Sequence, residues 1–283
     1  MKFLKLLAVV FVFYAAAKFC YDKTEGFALT KIHSNLTYDS RWEVENGSLP
    51  EIFDQKFSYL AAGGQAYAFV SEDGQYVLKF FKHHLRRVPL WLRALPLTGK
   101  LAEKRTIHKQ KRARKLLRDF SSYKLALEAL PKETGLLYVH LNKTKTLKTF
   151  ARIVDKIGIE HPVDLDKVEF VLQKKAELAL PHLKKLIKGH DLEGAKTCID
   201  SIFSLITTRC DLGVYDEDPR IHRNVGFIDN RAILIDVGRL KMDPRREDPR
   251  IQKQDLVKIT RPLHTFLEKH STELSIYLEE KLQ

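Results

Sequence analysis

Gly213-Val-Tyr-Asp-Glu-Asp-Pro-Arg-Ile-His-Arg-Asn-Val-Gly226, followed by Ile233-Leu-Ile-Asp-Val-Gly-Arg239, decides how this chain is read. Asn224-Val-Gly-Phe-Ile228 and Ala232-Ile-Leu-Ile-Asp236 are apolar runs separated by Asp229-Asn230-Arg231, the pattern of a tight hairpin. Closing that hairpin brings Asn224 near Asp236. An Asp at the exit of an apolar strand, followed by x-Gly, is positioned by rigid scaffold and left free to bind a cation. Two oxygen ligands, Asn224 and Asp236, suit a hard divalent ion that keeps waters and phosphate oxygens as its other ligands. Asp216 and Asp218 stand just before Pro219, where they either supply carboxylates to the same place or turn the chain.

Upstream, Phe57-Ser-Tyr-Leu60 and Ala66-Tyr-Ala-Phe-Val70 flank Gly63-Gly64, and Tyr76-Val-Leu-Lys-Phe-Phe81 follows the turn Glu72-Asp-Gly-Gln75. The pattern predicts a β-ribbon over 56–81. Glycines at its first turn let backbone N–H groups approach an anion closely. Lys79 lies in the middle of an otherwise apolar strand, pointing to solvent or held for an anionic ligand. Beyond it, a long polar helix is predicted over 99–130, ending before Pro131. Short strands are predicted at 135–141 and 168–173. A helix over 191–210 carries Leu192, Ala195, Ile199, Ile202, Phe203, Leu205 and Ile206 on one broad face. Residues 251–283 read as one or two amphipathic helices interrupted near Pro262, and 21–55 as a linker with a lead-in strand. Strands first, then helices around a small hairpin, is an α+β pattern with two lobes.

These motifs, in this order, resemble the protein-kinase-like superfamily in the broad sense that includes small-molecule and lipopolysaccharide kinases. The resemblance covers about residues 55–240. It implies that Gly63 and Gly64 lie in the loop over the ATP phosphates and that Lys79 pairs with those phosphates. It also implies that Asp216 or Asp218 positions the acceptor hydroxyl, and that Asn224 and the Asp236 of a DFG-type triplet bind Mg²⁺. The implied activity is ATP- and Mg²⁺-dependent phosphotransfer to an unassigned acceptor. Several features depart from the family pattern. Its G-x-G-x-x-G is Ala61-Ala-Gly-Gly-Gln-Ala66 here, and there is no His-Arg-Asp triplet. Asp119 and Glu128 are candidates to pair with the lysine, with Glu103 lying early for that role. These departures sustain an alternative: a pseudokinase scaffold that binds an anionic membrane or an acidic partner without turnover.

Composition sets the bounds. With 44% hydrophobic and 30% charged residues, the 283-residue chain is globular rather than disordered or polytopic. The three cysteines, Cys20, Cys198 and Cys210, are too few for a disulfide scaffold. Net charge is +13, of which residues 82–115 carry +11. This basic insert surrounds the apolar run Val88-Pro-Leu-Trp-Leu-Arg-Ala-Leu-Pro96, a composition suited to anionic lipid or to an acidic small-molecule, lipid or protein acceptor. Nucleic acid is disfavoured, because no finger or glycine-aromatic RNA signature accompanies the charge.

At the N-terminus, Leu6 to Ala17 is uncharged and apolar. Phe3 to Cys20 spans 18 residues, close to the roughly 20 needed to cross a bilayer. The expectation is a two-lobed kinase-like fold with an N-terminal apolar membrane helix, single-pass, its domain facing the cytosol. A cleaved signal, with a secreted or periplasmic domain, is the alternative. The expected organisation is an anchor or signal over 1–20, a lead-in over 21–55, an N-terminal lobe over 56–175 and a C-terminal helical lobe over 176–283.

Overall fold

The computed structural model describes residues 2–87 and 98–283. The run Val88–Pro96, on which the expected lipid contact rests, lies outside the described residues. In chain order the helices are α1 (Lys2–Thr24), α2 (Leu29–Ile32), α3 (Gly99–Ala129), α4 (Pro131–Thr134), α5 (Ala179–Lys188), α6 (Leu192–Asp211), α7 (Ile221–Asn224), α8 (Pro249–Glu268) and α9 (Thr272–Leu282). The strands are β1 (Lys56–Ala62), β2 (Ala66–Ser71), β3 (Tyr76–Phe81), β4 (Leu136–His140), β5 (Phe150–Val154), β6 (Glu160–Asp164), β7 (Phe170–Lys174), β8 (Glu177–Leu178), β9 (Val214–Asp216), β10 (Val225–Ile228), β11 (Arg231–Leu234) and β12 (Leu240–Met242). The chain forms two compact units. The first comprises 1–43, 48–113 and 140–172; the second comprises 44–47, 114–139 and 173–283.

In the first unit the sheet order runs β3-β2-β1-β5-β6. Strands β1, β2 and β3 form an antiparallel meander, as the alternation and the Asp73-Gly74 turn predict; Gly74 takes the left-handed φ of 70° that such a turn requires. Phe57, Phe69, Leu78, Phe80 and Ile153 are fully buried and form its core. Phe27 packs edge-on to Tyr67 and Phe69, with ring centroids 5.2 and 5.3 Å apart. The Tyr67 hydroxyl donates to the Gly26 carbonyl at 2.6 Å. The lead-in strand expected within 21–55 does not form: Phe27 buries from an irregular segment, and Ile32 and Trp42 from short helical turns, rather than in alternation. Asn142 makes a two-way amide pair with the Asp39 backbone, at 3.1 and 2.9 Å.

The expected membrane helix is overturned. Among the described residues, no helix is long and apolar enough to cross a membrane. Helix α1 has 23 residues, but Lys2, Lys5, Lys18, Asp22 and Lys23 lie within it. Its uncharged run from Leu6 to Ala17 rises about 18 Å, against about 30 Å of hydrocarbon. The single-pass, cytosol-facing location falls with it.

In the second unit, α6 buries Ala195, Ile199, Ile202, Leu205 and Ile206 of the face its periodicity predicts, together with Cys198, while Leu192 and Phe203 are half-buried. It packs with α5, α8 and α9 and against β11. Helix α8 runs straight through Pro262, and the break comes instead at 269–271, where the Ser271 hydroxyl caps α9 by accepting from the Leu274 N–H. Pro262 and Lys258, whose carbonyl the ring frees, are both exposed, so water satisfies that carbonyl and the helix continues. Asn46 accepts from the Val139 N–H at 2.8 Å and donates to its carbonyl at 2.9 Å, extending the edge of β4.

The β10–β11 hairpin closes as read from the sequence, with Asp229 and Asn230 at φ of 48° and 60°, the geometry of a two-residue turn. Gly226 sits where β8 crosses it. A Cβ there would lie 2.6 Å from the Glu177 carbonyl and 2.6 Å from Ile235 Cδ1. Gly226→Ala is therefore expected to destabilise the protein by roughly 1–3 kcal/mol. A thermal melt would show this as a midpoint several degrees lower, and an unchanged midpoint would mean that β8 can simply move aside.

Candidate functional site

Helix α6 ends at Asp211. Gly213, at φ 62°, turns the chain into β9, and its N–H donates to the Cys210 carbonyl at 2.8 Å. β9 pairs with β12, placing Asp216 opposite Leu240. The Asp236-Val237-Gly238-Arg239 turn, between β11 and β12, is thereby tied to the segment that carries Asp216 and Asp218. The Glu217 N–H closes the connection by donating to the Arg239 carbonyl at 3.1 Å.

The two candidate aspartates differ sharply. Asp216 is buried, only 2% exposed. Its Oδ1 accepts from the Asp218 N–H at 2.8 Å, and its Oδ2 lies 3.6 Å from the guanidinium of Arg209, itself buried. Burial pushes the Asp216 carboxyl up to about 6, against the Asp218 N–H and Arg209, while the carboxylates of Asp236 and Asp218 add to the rise. Asp218 is half-buried, with its carboxylate 2.6 Å from Arg220 and 3.8 Å from Arg239.

Asn224 ends α7 and is buried. Its Nδ2 donates to the Asp218 carbonyl at 2.6 Å, which leaves Oδ1 as the outward acceptor. Its own carbonyl accepts from the Ile235 N–H at 2.7 Å, one residue before Asp236. Asp236 is exposed, and its Oδ1 accepts from the Gly238 N–H at 3.1 Å. The second unit thus brings Asp216, Asp218, Asn224 and Asp236 together, as the hairpin reading anticipates. Among the described residues no cluster of three or more His, Cys, Asp or Glu could hold a metal. Asn224 Oδ1 and the Asp236 carboxylate are oxygen donors of the type a hard cation takes.

Sequence reading missed the support beneath this turn. Ser122, fully buried on α3, donates to the Val237 carbonyl and accepts from the Leu240 N–H at 2.5 Å. One hydroxyl therefore pins both sides of the turn. The spacing from 122 to 237 carries no local signal. Arg209 escaped for the same reason: on sequence it is one more basic residue at the end of a helix. Of the three helix acids, Asp119 is fully buried, whereas Glu103 and Glu128 are exposed.

In the first unit, Gly63 and Gly64 form the β1–β2 turn. The Gly63 N–H donates to the Ala66 carbonyl at 2.9 Å, and the Lys82 ammonium donates to the Gly63 carbonyl at 2.6 Å. Neither glycine has a left-handed φ, and a Cβ at Gly64 would meet nothing within 4 Å. The turn itself therefore does not require glycine there. Lys79, half-buried, stands opposite Ala68 on β2, which in turn stands opposite Ala61 on β1. Two alanines beside the lysine leave that stretch of sheet bare of bulk, a feature the sequence reading passed over.

No family model matches the chain, and no curated protein matches it. Among solved structures it is similar to WbdD in complex with a kinase inhibitor, at 15% identity and a TM-score of 0.35, over 75% of this chain and 37% of that one. It is similar to the bifunctional kinase-methyltransferase WbdD at 14% identity and a TM-score of 0.36, over 77% and 42%. It is also similar to Rv3197 in complex with erythromycin, from Mycobacterium tuberculosis, at 14% and 0.35, over 82% and 55%. The chain thus spans about 37 to 55% of the length of these structures. At TM-scores of 0.35 and 0.36 these likenesses assign this chain neither a family nor a subtype.

Proposed function

We propose that this chain is a phosphotransferase that uses ATP and a divalent cation, with Asp218 as the residue that orients the acceptor hydroxyl. The observation that carries the reading is the hydrogen bond from Asn224 Nδ2 to the Asp218 carbonyl, together with the bond from the Ile235 N–H to the Asn224 carbonyl. These two bonds tie the Asn224 side chain to the backbone at Asp218 and the Asn224 backbone to the residue before Asp236. Asp218 is favoured over Asp216 because its carboxylate is reachable. Asp216 is enclosed beside Arg209 and acts as a positioning residue through the Asp218 N–H.

In this reading Asn224 and Asp236 hold Mg²⁺, which when bound neutralises charge on phosphate oxygens. Lys79 and the Gly63-Gly64 turn bind phosphate through the first unit. Asp218 accepts the proton of the acceptor hydroxyl as that oxygen bonds to the γ-phosphorus and ADP departs. Positioning and charge complementarity are most of what phosphoryl transfer asks of a protein.

Asp218→Asn tests the assignment. The variant is expected to bind Mg-ATP as wild type does, by calorimetry, and to lose at least about 100-fold in turnover. Wild-type turnover in that variant would remove Asp218 from the role. A second reading, a scaffold that binds nucleotide without turnover, draws support from the two-glycine turn that stands where three glycines are usual. Binding without phosphate release by wild type would favour it.

A further inference from the structure

The first unit contains a cavity of about 390 Å³ that belongs to none of the residues assigned above. Arg86, Arg87, Arg105 and Lys109 wall it, with His83 and Ser34 at its floor. Arg86 and Arg87 close the turn that follows β3. Arg105 and Lys109 are one helical turn apart on α3, so both reach the same side.

Among the described residues no carboxylate lines this cavity. Glu169 is buried and contacts the two residues at the cavity floor. Its Oε1 accepts from the Ser34 hydroxyl at 2.6 Å, and its Oε2 lies 2.9 Å from His83 Nε2. Among the described residues, Arg87, Arg105 and Lys109 make no ion pair. Arg87 donates one N–H to the His33 carbonyl, and its Nε is buried without a hydrogen-bond partner.

Arg87, Arg105 and Lys109 thus bring three cations without an ion pair among the described residues to one concave space, and an anion entering it relieves their mutual repulsion. Arginine forks match phosphate oxygens two at a time. A space of this size, in the range of small-molecule sites, is larger than a single inorganic phosphate needs. We propose that the cavity bounded by Arg86, Arg87, Arg105 and Lys109 is a binding site for a compact ligand carrying two or more phosphate groups. It is separate from the Lys79 strand position and stands whether or not the chain turns over ATP.

The test uses the full chain near physiological salt. One arm titrates sodium tripolyphosphate by calorimetry; the other measures recruitment to phosphatidylcholine vesicles containing phosphatidylinositol 4,5-bisphosphate against phosphatidylcholine vesicles alone. Both compare wild type, Arg105→Ala/Lys109→Ala, Lys109→Glu and Lys79→Ala. Arg105 is half-buried and Lys109 exposed on a helix surface, so the variants are expected to keep the wild-type melting temperature; Lys109→Glu provides a second reading should the double variant melt early. The expected result is a saturable site that weakens at least about 30-fold in the double variant and persists in Lys79→Ala. A response to tripolyphosphate alone identifies a soluble ligand, and a response to vesicles alone identifies a lipid headgroup. Either supports the site if the cavity variants lose it. Absence of wild-type binding to both probes, wild-type affinity in folded cavity variants, or loss in Lys79→Ala overturns the proposal.

Discussion

Asp236→Ala is expected to abolish the Mg²⁺-dependent part of ATP binding and to lower turnover by more than about 100-fold. The carboxylate is exposed and accepts from the Gly238 N–H at 3.1 Å. Truncating it leaves the turn in place, because Ser122 holds the backbone at Val237 and Leu240. Stability should therefore stay within about 0.5 kcal/mol of wild type, as for surface substitutions generally. That separation makes the experiment informative: a folded variant that has lost only its metal-dependent binding identifies Asp236 as a ligand. Calorimetric titration of ATP with and without Mg²⁺ checks it. Wild-type binding and turnover in Asp236→Ala would remove the metal role from this residue, and the phosphotransferase reading would lose its strongest support.

The second large effect concerns stability. Arg209 and Asp216 are each 3% exposed and face one another at 3.6 Å. Breaking a buried pair strands a charge, which costs about 3–5 kcal/mol. Arg209→Met is expected to destabilise by that amount at pH 8 and by much less at pH 5. The sign follows from Asp216. Burial raises its folded pKa from 3.8 to about 6. Its stabilising contribution is fully present below about pH 4 and is lost as pH rises through about 6, where the folded protein must carry a buried carboxylate. In wild type that loss is on the order of 3 kcal/mol. Without Arg209 the folded pKa climbs further and the loss at pH 8 grows. Urea unfolding of variant and wild type at both pH values measures the difference, with the other titrating groups cancelling. An equal difference at pH 5 and pH 8 would show that Asp216 is not the group being stranded.

The elements that sequence reading located are those whose signals are local. The β1–β3 meander follows from alternation and one Asp-Gly turn, and the β10–β11 hairpin from Asp229-Asn230. Helix α6 follows from its apolar periodicity, and α3 from its long polar run up to Pro131. Strands β5 and β6 were missed. β6 reads Glu160-His-Pro-Val-Asp164, carries a proline and buries only Val163, as suits the outer strand of its sheet. β5 is ordered by parallel pairing with β1, almost a hundred residues away, through Lys56–Arg152 and Phe57–Ile153. The N-terminal run misled in the opposite direction: apolar composition suggested a span, but charges at Lys5, Lys18, Asp22 and Lys23 leave too short an apolar length.

The sequence by itself determined the candidate residues: Gly63, Gly64, Lys79, Asp216, Asp218, Asn224 and Asp236 are chemically legible from type and order. Tertiary structure separated their roles. It enclosed Asp216 beside Arg209, left Asp218 reachable, turned the Asn224 amide nitrogen inward and pinned the Asp236 turn with Ser122. It also gathered Arg86 and Arg87 with Arg105 and Lys109 around one cavity that a linear charge count records only as a basic run. The physical reason is range. Turn and helix preferences act over a few residues and are written locally. Desolvation and charge pairing depend on which distant residues fold against each other, and those terms decide whether a carboxylate is structural or free to react.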